Sequence, residues 1–157
     1  MTRGSEIAPE FIYALRDGME IVVQSPEAAE NYFQKALQSS TPDFAQPLEW
    51  LGTLALSRGN RTEAESYFRR AIAIDSFSVT AIRYLAKITF NNGTVNEALD
   101  FSQQLIQIDP YIPDGWLMTG WILREQGKKD EALQCWREGI ATIGNHPKLL
   151  ELIASTL

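Results

Sequence analysis

The feature that most constrains this chain is a repeat with a period of 34 residues. Glycines recur at this step, at Gly59, Gly93 and Gly127. A Glu-Ala pair recurs at the same step, and its alanines are Ala64, Ala98 and Ala132. Self-similarity at a fixed period of this length is the signature of a chain built from stacked copies of one small unit. The sequence therefore predicts a repeat protein, in which each unit buries its apolar face against its neighbours.

Each unit has the pattern of two α-helices. Apolar residues recur at steps of three and four, as at Leu48, Leu51 and Leu54, which is the spacing of one helix face. The repeated glycine supplies the left-handed residue that ends a helix. Asn60 and Thr94 each precede a glutamate by three residues, the spacing of a capping box. The predicted helices cover residues 8–22, 26–39, 46–58, 61–74, 79–91, 95–108, 113–126 and 129–143, and a last one follows Pro147.

Small residues mark the place where the two helices of a unit come closest. They stand at the same place in successive units, at Gly52, Ala86 and Gly120. Two helices approach closely only where the side chains are short. We therefore expect these residues to face the repeated alanines.

An earlier and weaker unit precedes the three strong ones. Its second half carries Ala29, Tyr32, Phe33 and Ala36, each 35 residues before its match among Ala64, Tyr67, Phe68 and Ala71. One extra residue in the linker at residues 39–42 explains the slip from 34 to 35.

These residues resemble the tetratricopeptide repeat, a helix–turn–helix of 34 residues with large, small and aromatic side chains at fixed places. Three units carry the signature, at residues 45–78 (Leu48, Leu51, Gly52, Ala64, Phe68, Ala71), 79–112 (Ile82, Leu85, Ala86, Ala98, Leu105, Pro110) and 113–146 (Trp116, Gly120, Ala132, Trp136, Gly139). Residues 10–43 keep only its second half, and Thr119 stands where leucine is usual. The resemblance implies an all-α, right-handed superhelical solenoid of about four hairpins. A capping helix at residues 147–157 closes it, within one domain over residues 1–157.

The resemblance also implies a non-enzymatic scaffold that binds a segment of a partner polypeptide in its concave groove. A structural role is the alternative, as a self-associating or docking module of a larger multidomain protein. Composition excludes other classes. The net charge of −6 and the isoelectric point near 4.8 argue against nucleic acid, which selects a basic surface. We expect a cytoplasmic protein without a membrane span, and a periplasmic domain lacking its leader remains an alternative.

Residues for catalysis are sparse. The single histidine, His146, lies in a Gly-Asn-His-Pro turn with no nucleophile motif beside it, so a turn or cap role is predicted. The single cysteine, Cys135, is expected to be a buried small residue. No cluster has metal-ligand spacing and no glycine-rich phosphate loop occurs. The sequence therefore predicts neither an enzyme nor a cofactor or metal site.

The partner-binding groove is predicted from the first-helix residues that the repeat signature does not use for packing. They are Trp50, Thr53, Arg83, Tyr84, Lys87, Asn91, Leu117, Met118, Trp121 and Arg124. Cations and aromatic side chains interleaved in an acidic chain favour a partner segment with acidic and apolar residues. The alternative is that Trp50 and Trp121 pack against neighbouring helices while the cations are solvated.

The terminal helix is predicted to cap the stack through a stripe of Leu149, Leu150 and Ile153. Leu152 and Leu157 then fall on other faces, which is more apolar surface than a cap requires. Either these residues meet a second copy or a following domain, or they are leucines tolerated at a terminus.

Overall fold

The computed structural model describes residues 9–39 and 44–157 of the protein. Every regular element in those residues is an α-helix, which confirms the predicted all-α class. The helices are α1 (Pro9–Ile21), α2 (Pro26–Ser39), α3 (Gln46–Ser57), α4 (Arg61–Ile74), α5 (Val79–Asn91), α6 (Val95–Ile108), α7 (Pro113–Glu125), α8 (Lys129–Ile143) and α9 (Pro147–Thr156). The predicted bounds agree with these to within one residue. Residues 1–8 of the predicted domain and 40–42 of the predicted linker lie outside the described residues.

The chain divides into two compact units, one up to Ala81 and one from Ile82. In the first unit, α1 packs against α2, α2 against α3, and α3 against α4. In the second unit, α6 packs against α7, α7 against α8, and α8 against α9. Each helix thus contacts the next along the chain, as expected for stacked hairpins. The assignment of residues 1–157 to one domain stays a prediction.

The three repeated glycines have the left-handed backbone that the turns require. Gly59, Gly93 and Gly127 have φ angles of 78°, 85° and 79°. A Cβ added at any of them would meet no atom within 4 Å. The backbone conformation, rather than crowding, therefore favours glycine at these turns.

The two predicted capping boxes have different outcomes. Asn60 caps α4, because its side chain accepts a hydrogen bond from the backbone N–H of Glu63 at 3.2 Å. Its amide also donates to the Glu63 carboxylate at 2.8 Å. Thr94 precedes α6 without a side-chain cap bond, so that prediction is wrong. Its hydroxyl instead donates to the Thr89 carbonyl at 2.9 Å, which ties the turn to the end of α5.

The close approach of paired helices is between glycine and an aromatic ring, not between glycine and alanine as predicted. A Cβ added at Gly52 would lie 2.7 Å from the Phe68 ring, and one at Gly120 would lie 2.1 Å from Nε1 of Trp136. Both aromatic side chains are fully buried. The missing side chain on the first helix therefore provides the space that the ring of the second helix fills.

A buried hydrogen bond explains the threonine at the place where leucine is usual. The Thr119 hydroxyl donates to the Ser102 hydroxyl at 2.9 Å, and both side chains are buried. Ser102 in turn donates to the Leu99 carbonyl at 2.9 Å. A polar pair between α6 and α7 thus replaces an apolar contact, with its hydrogen-bonding groups satisfied.

The terminal helix α9 caps α8, but through a different stripe from the one predicted. Leu149 is fully buried, and Leu152 and Ile153 pack against the core of α7 and α8. Thr156 completes this face and donates to the Leu152 carbonyl at 2.7 Å. Leu150, predicted to pack, is 46% exposed. Leu150 follows Leu149 by one residue, and consecutive helical residues point about 100° apart, so only one of them can face α8.

Candidate functional site

Trp121 is the most exposed of the predicted groove residues that are apolar. It lies five residues after Trp116 on α7. Trp116 is buried, and its Nε1 donates to the Pro110 carbonyl at 2.8 Å, which fixes one face of the helix against the core. Five residues correspond to a rotation of about 140° along a helix. Trp121 therefore points away from that core and is 46% exposed.

Local contacts hold the Trp121 side chain upright on the surface. Its ring centre lies 5.8 Å from that of Phe90 on α5, with the planes tilted by 48°. Its Nε1 is 3.3 Å from a carboxylate oxygen of Glu125, one turn further along α7. Contacts at both ends of the indole restrict its rotation without covering it.

Two clefts flank Trp121, one on each side. The α5–α7 cleft has a volume of about 270 Å³ and is lined by Lys87, Phe90, Asn91, Met118, Trp121 and Ile122. The α7–α9 cleft has a volume of about 390 Å³ and is lined by Leu117, Trp121, Arg124, Lys148, Glu151, Leu152 and Ser155. Both lie within the second compact unit. An exposed indole between two concave, mostly apolar surfaces can contact a ligand with both of its faces.

Six of the ten predicted groove residues line these clefts. They are Lys87, Asn91, Leu117, Met118, Trp121 and Arg124. Arg83 and Tyr84 lie one turn earlier on α5, where the guanidinium stands 5.4 Å from the tyrosine ring centre. The Nε of Arg83 is buried without a hydrogen-bond partner.

The predicted cations have partners in their own unit. Lys87 forms an ion pair with Asp114 at 2.9 Å. Arg124 lies 3.8 Å from the Glu125 carboxylate, and its guanidinium stands 5.7 Å from the Trp136 ring centre. These side chains are thus less available to a partner than the sequence alone suggests.

The two groove residues of the first compact unit make packing contacts there. Trp50 stacks on Phe33 with ring centres 5.5 Å apart and planes within 7°. It belongs to the core around Leu51 and Leu54. Thr53 donates its hydroxyl to the Glu49 carbonyl of its own helix at 2.9 Å. Trp50 therefore follows the packing alternative, whereas Trp121 does not.

Sequence reasoning missed the cleft residues that α9 supplies. These are Lys148, Glu151, Leu152 and Ser155. The signal was present, because Glu151, Leu152 and Ser155 follow the predicted groove residues Leu117, Met118 and Trp121 by one period of 34. Applying the period to the binding face as well as to the core would have identified them. Phe90 and Ile122 were also missed, and both line the α5–α7 cleft.

The residues considered for catalysis have structural surroundings. Cys135 is buried, with Sγ 3.8 Å from the Trp116 carbonyl oxygen. Removal from water raises its pKa to about 12, with a smaller contribution from Glu138, so the thiol stays protonated at neutral pH. His146 occupies the N-cap position of α9 without a side-chain cap bond.

Two further searches of the described residues gave negative results. Residues 9–39 and 44–157 contain no group of three or more His, Cys, Asp or Glu that could hold a metal ion. No helix in the same ranges combines the length and the apolar character needed to cross a membrane.

Two stretches of the chain match the tetratricopeptide repeat, residues 23–79 and residues 114–138. With the helical hairpins and the repeated signature residues, these matches show that the chain belongs to the tetratricopeptide repeat family. Members of this family are typically non-catalytic scaffolds, and membership supports a generic role in binding other proteins.

The chain is similar to proteins of several kinds. Photosystem I assembly protein Ycf3 of Sorghum bicolor is 28% identical over 137 residues, which cover 83% of this chain and 68% of that protein. The solved structure of MamA from Desulfovibrio magneticus RS-1 has a TM-score of 0.81 at 12% identity, covering 96% of this chain and 85% of that one. YrrB, described as a TPR protein with an unusual peptide-binding site, has a TM-score of 0.74 at 22% identity, covering 94% and 75%. At these identities the solved structures show the fold alone.

Proposed function

We propose that this chain is a scaffold that holds an apolar segment of a partner polypeptide against Trp121. Side chains of that segment occupy the α5–α7 cleft and the α7–α9 cleft. The observation that carries this proposal is a half-exposed tryptophan between two concave surfaces. Tryptophan is among the residues that most often dominate the energy of an interface, especially when a ligand encloses it.

The size of the clefts favours side chains over a small-molecule ligand. Their volumes of about 270 and 390 Å³ lie at the low end of the range for ligand pockets, roughly 300–1,000 Å³. Each cleft thus suits one or two side chains. A segment that places apolar residues on both sides of the indole would bury Trp121 and both clefts at once.

The charged residues at the clefts set orientation more than affinity. Lys87 lines one cleft and Arg124 the other, and each has an acidic neighbour, Asp114 and Glu125 respectively. Acidic residues of the partner would exchange with these carboxylates rather than meet free cations. Such exchange adds little net energy in an exposed position, but it fixes the register of the bound segment.

Two similar proteins support a role of this kind. The description of YrrB includes a peptide-binding site on the same fold. Ycf3 is named as an assembly protein, which is a task for a scaffold. We extend to this chain only the binding of a polypeptide segment, on the basis of its own clefts.

Peptide selection followed by a matched pair of variants tests the proposal. Random 12-residue peptides displayed on phage are selected on the immobilised full chain, and the enriched sequence is synthesised with a fluorophore for anisotropy measurements. We expect Trp121→Ala to weaken its binding by about 30-fold, since truncating a central interface residue costs about 2 kcal/mol or more.

Tyr111→Ala is the matched control for that experiment. Tyr111 is an exposed aromatic residue of the same unit, 71% accessible, on the turn before α7. The control variant should bind within twofold of wild type. Equal binding by both variants, or the absence of any enriched peptide, contradicts the proposed site.

Self-association is a second candidate function, and the exposed Leu150 and Leu157 of α9 favour it. Sedimentation velocity of the full chain at up to about 200 µM tests it directly. A dimer that Leu150→Glu converts to a monomer would establish this function, and a strict monomer would exclude it.

A further inference from the structure

Helix α9 is the first half of a further repeat. It begins with Pro147, one period of 34 after Pro113 at the start of α7. The same step places Leu150, Ala154 and Leu157 where α7 has Trp116, Gly120 and Leu123. These three residues of α9 lie at steps of four and three, so they share one helix face. We call them the α9 outer stripe.

In the preceding repeats, the second helix of the hairpin covers the equivalent face. Helix α8 covers α7, where Trp116 and Leu123 are buried and Gly120 lies against the Trp136 ring. Helix α4 covers α3, where Leu48 is buried and Gly52 lies against the Phe68 ring.

The α9 outer stripe is exposed instead. Leu150 is 46% and Leu157 is 75% accessible, and Ala154 is also exposed. The other faces of α9 are in use. Leu149 and Thr156 are buried, and Lys148, Glu151, Leu152 and Ser155 line the α7–α9 cleft. The stripe is therefore a separate surface from the clefts around Trp121.

The sequences of the three hairpins specify what a covering helix must present. Where the first helix has glycine, at Gly52 or Gly120, the second helix has an aromatic residue that fills the space. Where it has alanine, at Ala86, the second helix has Ser102 at the matching place. A Cβ on the first helix and a ring on the second exclude each other, because the glycine contacts leave no room for both. Ala154 thus calls for a small residue opposite it.

We propose that the α9 outer stripe binds one amphipathic α-helix of another polypeptide, in the manner of the second helix of a hairpin. The bound helix carries alanine, then a small residue four positions later, then an aliphatic residue three further on. This is the pattern of Ala98, Ser102 and Leu105 in α6. A helix suits the surface because its rows of side chains interdigitate with the stripe, while its backbone hydrogen bonds are satisfied internally.

The probe is a capped synthetic peptide of residues 95–108, titrated into the isotopically labelled full chain and followed by amide chemical shifts. We expect shifts that concentrate on Leu150, Ala154 and Leu157 and that Leu150→Glu abolishes. A peptide with Ser102→Trp should bind at least fivefold more weakly. In the Ala154→Gly protein this preference should shrink or reverse, because the space for a ring is restored.

Trp121→Ala serves as the control, and it should leave peptide binding unchanged, which separates this surface from the clefts. Circular dichroism verifies that each variant stays helical. The proposal is overturned if millimolar peptide leaves α9 unperturbed, or if the shifts are confined to α5, which would mean exchange with the chain's own α6. It is also overturned if the chain is a dimer that Leu150→Glu dissociates, because a second copy is then the occupant.

Discussion

The contact between Gly120 and Trp136 permits a quantitative prediction for Gly120→Ala. The new Cβ would lie 2.1 Å from Nε1 of Trp136, so the ring must retreat by about 1.3 Å to reach an ordinary contact distance of 3.4 Å. Trp136 has no exposed surface and is enclosed by the core of α7, α8 and α9. Forcing atoms into such a core costs about 1–3 kcal/mol.

An opposing contribution comes from helix propensity. Alanine inside a helix is favoured over glycine by about 1 kcal/mol. Because the clash at Gly120 is severe, we expect a cost near the top of the overpacking range and a net destabilisation of about 2 kcal/mol. For a chain of this size that lowers the melting temperature by about 4–8 °C, measured by circular dichroism at 222 nm.

Gly52→Ala is the matched comparison, because it has the same propensity gain. Its Cβ would lie 2.7 Å from the Phe68 ring, so less displacement is needed. We expect a smaller loss of stability than at Gly120. A Gly120→Ala protein as stable as wild type, or more stable than Gly52→Ala, refutes the reasoning from ring contact.

Two further predictions concern buried polar groups. Ser102→Ala leaves the buried Thr119 hydroxyl without the acceptor that it has at 2.9 Å, and we expect urea unfolding to show a loss of about 1–3 kcal/mol. Adding Thr119→Val should recover part of this loss, since removing both partners is nearly neutral; a double variant no more stable than the single one would contradict the pairing. Cys135 should resist a thiol reagent at pH 8 until the chain is denatured, because burial raises its pKa to about 12. Its contribution to stability should be complete below the ordinary pKa of 9.0 and decline as the pH rises towards 12, a slope that Cys135→Ala would lack.

Helix positions could be predicted from the sequence because local residues determine them. Gly59, Gly93 and Gly127 end helices through a backbone angle that other residues rarely adopt. Proline at the start of α7 and α9 marks the other end. Such signals act within a few residues, so a period of 34 residues suffices to place them in every unit.

Helix caps already depend on more than local sequence. Asn60 and Thr94 have the same spacing to a glutamate, yet only Asn60 caps the backbone of the following helix. The threonine hydroxyl has an alternative acceptor in the Thr89 carbonyl at 2.9 Å. Competition between two acceptors is decided by geometry that spacing does not describe.

The binding surface could be predicted in part. Periodicity identified the first-helix residues that the core does not use, and six of the ten line the two clefts. It did not distinguish Trp50 from Trp121, which are equally free of the repeat signature. Phe33 stacks on Trp50, whereas Trp121 has Phe90 beside it at a tilt and remains half exposed. The difference arises from neighbours on other helices.

The sequence by itself determined the family, the helices, the turns and the face of each helix that meets the core. These follow from periodicity, which is a property of the chain alone. The tertiary structure decided which outward residues are covered, which cations already have partners, and that α9 contributes to the site. Lys87 pairs with Asp114, and Gly120 makes room for Trp136. Each of these contacts joins residues from different helices. Their outcome depends on the size and direction of both side chains, and these are fixed only when the helices pack.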